Sequence, residues 1–202
     1  KFYLHTKYQE NFCCFQFLIF FLLKNLFNRK VKTKNLWYFY KLCIALNMTE
    51  LNTGFYKLIF ENGFVRHIKS GDTEIVRMIY SAVRDENWET IIPEIISEKI
   101  TENNDRFIIE TIVKYQKTAI EFEATYKITG NENILIFEMD GQAKRTFLTN
   151  RIGFCVLHPI KECAGKTCTV FHPDESFEDV EFPEFISPDQ PMKNISRLVW
   201  YP

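Results

Sequence analysis

Glycine and proline are missing from the first 47 residues of this 202-residue chain; all seven of each lie after Met48. Without residues that supply positive φ or a fixed φ, that stretch has no turn chemistry around which a compact unit could fold. Acidic residues are scarce there too, one against eight Lys and Arg, whereas residues 48–202 carry 25 acidic residues against 17 basic ones. The net charge of −1 thus conceals halves of about +7 and −8. The run Phe12–Leu23 falls short of the roughly 20 apolar residues that span a bilayer, so no membrane partner is expected. A phosphate-binding glycine loop, an internal repeat and a basic stripe are also lacking, and the acidic later part excludes nucleic acid as an expected partner. That part has three cysteines, Cys155, Cys163 and Cys168, an odd set that points to reduced thiols and a cytoplasmic location.

What residues 1–47 do contain is Phe, Lys, Asn, Leu and Tyr, types with AT-rich codons, behind a first residue that is Lys. The expectation is upstream non-coding sequence read in frame, with Met48 as the start and 1–47 forming no domain. The alternative is a hydrophobic leader or anchor in Phe12–Leu23, although Lys24, Arg29 and Lys30 after it are basic on the wrong side for a cleaved signal. Residues 48–202 have the size of one domain with its own core.

From Phe55 onward the pattern is mainly β. Phe55–Phe60 and Phe64–Lys69 flank Glu61-Asn62-Gly63, a strong hairpin signal. Ser70-Gly71-Asp72 breaks the chain before Glu74–Val83. In Ile120–Ile128 the residues Ile120, Phe122, Ala124, Tyr126 and Ile128 alternate with polar ones, which defines one buried and one solvated face. Thr129–Asn133 and Asp140-Gly141 predict further turns on either side of Ile134–Met139. Strands at this spacing imply an antiparallel β-sandwich. Pro173, Pro183, Pro188 and Pro191 then predict a C-terminal wrap over a sandwich edge rather than central strands.

Asn150-Arg151-Ile152-Gly153-Phe154-Cys155-Val156-Leu157-His158-Pro159, then Glu162-Cys163-Ala164-Gly165 and Ile186-Ser187-Pro188, resemble the N-terminal domain signature of D-apionate lactonases; Tyr80–Trp88 resembles an earlier block of the same family. The resemblance covers about residues 54–200. It implies a β-sandwich preceding a (β/α) barrel that is absent here, in a protein that hydrolyses D-apionolactone to D-apionate. The chain is then expected to be an accessory fragment of a lactone hydrolase, inactive alone, whose partners are a small sugar lactone or sugar acid and its own C-terminal barrel. The alternative is a non-catalytic sugar-binding or interaction module. Two positions depart from the family pattern: Asp189 stands where a His is expected before Gln190-Pro191, and Glu175 where a Gly is usual, which suggests a different local turn.

The residues with chemistry to offer are few. Arg84, Asp85 and Trp88, read as following a strand, could line a sugar site at a rim; the structural alternative is a salt-bridged rim with Trp88 filling the sandwich end. Asn150 and Arg151 precede an apolar strand, where Arg151 could fork onto a carboxylate or pair with Glu138 or Asp140. Glu162 and Gln190 complete the substrate-binding candidates. His158 is the one weak catalytic candidate, as a base or as an orienting group, with turn capping as its alternative. Asn150, Arg151, His158 and Glu162 are expected around one strand end. Zinc could use His158, Cys163, Cys168 and His172, but the spacing lacks a C-x2-4-C knuckle, so no metal and no cofactor is expected. His67 is expected to be solvated.

Overall fold

A computed structural model describes residues 48–185 and 190–201. The reading of residues 1–47 and of Ile186–Asp189 lies outside them. Five strands open the fold, β1 (Met48–Thr53), β2 (Tyr56–Glu61), β3 (Phe64–Ser70), β4 (Thr73–Asp85) and β5 (Thr90–Ile91). Then come β6 (Glu94–Asn103), β7 (Arg106–Lys117), β8 (Ile120–Asn131), β9 (Ile134–Ala143) and β10 (Thr149–Leu157). A one-turn helix α1 (Ile160–Cys163) precedes β11 (Thr167–Phe171), β12 (Phe177–Glu181) and β13 (Arg197–Val199).

All pairings are antiparallel. One sheet has the order β1-β2-β3-β4-β10, with β5 also on β4, and the second has the order β6-β7-β8-β9. Because β3 pairs only with Thr73–Ile79 of β4, that edge is free further along, and β5 occupies it at Val83 and Arg84. Two-residue turns set the registers: Glu61 pairs with Phe64, leaving Asn62 and Gly63 at φ 50 and 77, the left-handed pair a type I′ hairpin needs.

The two sheets bury their facing sides against each other. Leu51, Leu58, Phe60, Val65 and Ile79 of the first sheet pack with Phe107, Ile109, Ile128 and Leu135 of the second. Farther along, Val83 and Ile91 meet Val113, Tyr115, Phe122 and Tyr126, and Phe154 packs against both clusters. Ile120, Phe122, Ala124, Tyr126 and Ile128 are all buried, as the alternation requires. A chain of hydroxyls crosses this core: Ser81 Oγ lies 2.8 Å from Tyr115 Oη, which lies 2.6 Å from Tyr126 Oη. Each hydroxyl satisfies its neighbour, which is what permits three polar groups inside an apolar sandwich.

Of two expected turns, one is shorter than its composition suggests and the other is absent. Strand β8 continues through Thr129 and Gly130 to Asn131, leaving only Glu132-Asn133 as the loop, and β9 runs straight through Asp140 and Gly141. Both glycines make room for a ring: a Cβ on Gly130 would sit 2.3 Å from Phe107 Cε1, and one on Gly141 would sit 2.2 Å from Phe122 Cζ. They are points of close approach within strands.

The segment from Thr167 onward forms a third sheet, order β12-β11-β13, with its own cluster of Cys163, Cys168, Val170, Phe182 and Met192. Its strands stop short of Pro173 and Pro183, and central β11 contains no proline. Gly165 N–H donates to Phe182 O and Phe182 N–H to Lys166 O, at 2.9 Å each, tying the turn after α1 to this sheet. Glu175 keeps φ 69. The turn is therefore the one a glycine would favour, accepted with strain of order 1 kcal/mol rather than replaced. Among the described residues, no helix is long and apolar enough to cross a membrane.

Candidate functional site

Strand β10 pairs with β4 from Arg151 opposite Arg84 to Leu157 opposite Met78. This ladder separates the candidates that sequence proximity had joined. Asn150 and Arg151 stand at its beginning, while His158 and Glu162 follow its end, about 20 Å away at 3.3 Å per residue.

At the first end, Arg84 and Asp85 are the last residues of β4 itself, not of a loop after it. Asp85 Oδ1 accepts the amides of Asn87 and Glu89 at 2.9 Å each, and its Oδ2 accepts from Lys117 Nζ at 3.1 Å. Burial pushes the Asp85 carboxyl up, but these donors outweigh it and hold the group below the usual carboxylate range. Glu89 also pairs with Lys117. The rim is thus salt-bridged, and Trp88 does not fill the sandwich end. It is 45 % exposed, at φ 67, with the Arg151 guanidinium 5.6 Å from its ring centre. Asn150 Nδ2 donates to Glu86 O at 2.9 Å, and Thr149 Oγ1 to Arg84 O at 2.6 Å.

Alternation turns Val83 into the core and Tyr80, Ala82 and Arg84 to the other face of the first sheet, where Tyr80 meets Phe64 edge-on. Arg84 is nonetheless only 5 % exposed. Tyr80 carries a hydroxyl pushed well above its ordinary pKa by burial and by Cys155, which stands directly opposite it on β10. Tyr80 escaped the sequence reading, although its position four residues before Arg84 on an alternating strand places it on the same face.

At the second end, His158 packs between Phe182 and Trp200, with ring centres 5.1 and 5.8 Å away. Burial lowers its pKa to about 4, and Nδ1 is closed to solvent without a hydrogen-bond partner. A ring this hard to protonate is neutral at pH 7 and a weak base. Glu162 Oε2 and Gln190 Oε1 are also buried and unpartnered. Phe182 and Trp200 come from distant parts of the chain, so nothing around His158 in sequence signals the enclosure.

Of the four residues considered for zinc, Cys168 and His172 are each engaged elsewhere. Cys168 Sγ donates to Val180 O at 3.4 Å and approaches Met192 Sδ at 3.8 Å. His172 Nδ1 lies 3.0 Å from Asn194 O, and its Nε2 lies 3.4 Å from Glu178. Burial pushes the Cys163 and Cys168 thiols up to about 12 and about 11, so both are protonated at neutral pH. Among the described residues, no three His, Cys, Asp or Glu side chains are placed to hold a metal ion. His67 is not simply solvated: at φ 51, its Nδ1 lies 2.7 Å from the buried Glu74, which Arg77 also holds.

Comparison with known proteins agrees with the signature. A D-apionate lactonase of Brucella anthropi is 32% identical over 157 residues, covering 74% of this chain and 25% of the relative. The chain thus spans about a quarter of the length of that relative. No solved structure matches. The family described as D-apionate lactonase, N-terminal domain, matches residues 44–202, and the chain belongs to it.

Proposed function

We propose that this chain is the N-terminal β-sandwich of a carbohydrate-catabolic lactone hydrolase, acting on a branched-sugar lactone such as D-apionolactone together with a following (β/α) barrel. The observation that carries this reading is the family match over residues 44–202, set against a relative of which the aligned stretch covers only 25%. The described side chains support an accessory role: neither end of β10 combines an activated nucleophile or positioned base with an oxyanion-stabilising pair. His158 has the wrong basicity, and Asp85 is committed to Lys117 and to turn amides. The sandwich contributes binding surface, and the barrel contributes the reacting groups. Its free cysteines suit the cytoplasm.

Exposed Trp88, beneath the Arg151 guanidinium, favours a second reading as a free-standing sugar-binding module. The gene decides between the two: an open frame of alternating strands and helices after Pro202 supports the lactonase, and an immediate stop supports the module. The product of the extended gene is expected to hydrolyse D-apionolactone, and the 202-residue chain alone is not. Robust turnover by the 202-residue chain, abolished by His158→Ala, would overturn the assignment of the chemistry to the barrel.

A further inference from the structure

Among the described residues, Arg84 is a buried cation without a counter-charge. It is 5 % exposed, and taking a guanidinium out of water costs several kcal/mol unless an anion faces it. Its contact is from Nη2 to the neutral Tyr80 Oη at 3.5 Å, the limit of a hydrogen bond, while Nε is closed to solvent and unpartnered. Asp85, next in the chain, is committed to Lys117 and the amides of Asn87 and Glu89. Directly opposite on β10 stands Arg151, a second cation, which cannot neutralise the first.

The geometry around Arg84 suits a particular anion. Nε and Nη2 form the side-on edge of the guanidinium, the pair of parallel donors that matches a planar carboxylate. Beside them on the same face, Ala82 pairs with Gly153, so neither strand places a large side chain between Arg84 and Tyr80. Gly153 holds φ 150, which only glycine adopts without strain.

We propose that Arg84 anchors a binding site for a small organic carboxylate of the sugar-acid class on the outer face of the first sheet, with Tyr80 Oη as a second polar contact. The choice of a sugar acid rests on the lactonase reading; the need for an anion rests on the burial of Arg84 alone. An acid site next to the exposed Trp88 would hold the carboxylate of a hydrolysed lactone while the ring stacks on its carbon chain.

The test uses the 202-residue chain, with D-xylonate as the sugar acid, xylitol as its uncharged counterpart and acetate as a bare carboxylate, followed by calorimetry and thermal melting. Xylonate is expected to bind and to raise the melting midpoint, acetate to bind at least tenfold more weakly, and xylitol to do neither. Arg84→Met should weaken xylonate binding at least tenfold and raise the midpoint of the unliganded chain, because it removes an uncompensated buried charge. Arg84→Lys, which keeps the charge and loses the fork, should bind between the two. Equal responses to xylonate and xylitol, or an unchanged response in Arg84→Met, would overturn the site. A lowered midpoint in Arg84→Met would make Arg84 a structural residue, and acetate binding as tight as xylonate would refute the sugar-acid class. None of these readouts needs turnover, so loss of the lactonase reading would leave the anion site standing.

Discussion

His158 shows how neighbours distant in sequence decide what an ionisable residue can do. The motif Leu157-His158-Pro159 reads as a base at a strand end, yet Phe182 and Trp200 close over the ring and lower its pKa from 6.5 to about 4. Folded His158 therefore binds fewer protons than unfolded His158 between those values, so stability is highest above pH 6.5 and falls as pH drops through the window toward 4. The full loss is about 3 kcal/mol at most. In urea titrations from pH 4 to 7.5, His158→Phe should flatten this part of the dependence, and parallel curves for the two proteins would count against the enclosure. Glu175 teaches the complementary lesson: the sequence position that asks for a glycine was legible, and the backbone honours it at φ 69 despite the side chain.

At the scale of the strand, β8 was legible because one buried face forces strict alternation, and β9 was misread because glycine has two meanings. Asp140-Gly141 has turn composition, but Gly141 lies inside β9 where the Phe122 ring needs the space of a Cβ. Phe122→Ala should cost about 3–5 kcal/mol, and Gly141→Ala about 1–3 kcal/mol through overpacking. In the Phe122→Ala background the Gly141→Ala cost should nearly vanish, so a double-mutant cycle by chemical denaturation reads the contact directly. Glu123→Ala, on the solvated face with Lys144 at 2.8 Å, should change stability by less than about 1 kcal/mol. Additive costs at Phe122 and Gly141 would show that the glycine serves something else. The solvated face of the second sheet has an order that a linear reading could not assemble: Lys99, Glu110, Lys127 and Glu138 stand directly opposite one another in turn across four strands, each charge flanked by its opposite.

At the scale of the whole molecule, the described residues of the sandwich core run from Leu51 onward, and the family match begins at residue 44. Because residues 1–47 contain neither glycine nor proline and carry the opposite charge, removing them is expected to leave the melting midpoint unchanged, and a loss of several degrees, or insolubility cured by restoring the segment, would refute their exclusion from the domain. By itself the sequence determined the β class, the Asn62-Gly63 hairpin, the buried face of β8 and the family, because these depend on local φ requirements, on a period of two, or on motifs contiguous in the chain. Only the tertiary structure decided that Arg151 and His158 belong to opposite ends of one ladder, that Arg84 is buried with no anion facing it among the described residues, and that the thiols of Cys163 and Cys168 sit protonated in a separate cluster. Those properties depend on desolvation and on counter-charges, which are supplied by whatever residues the fold brings alongside, and strand pairing brings them from parts of the chain that no local pattern connects.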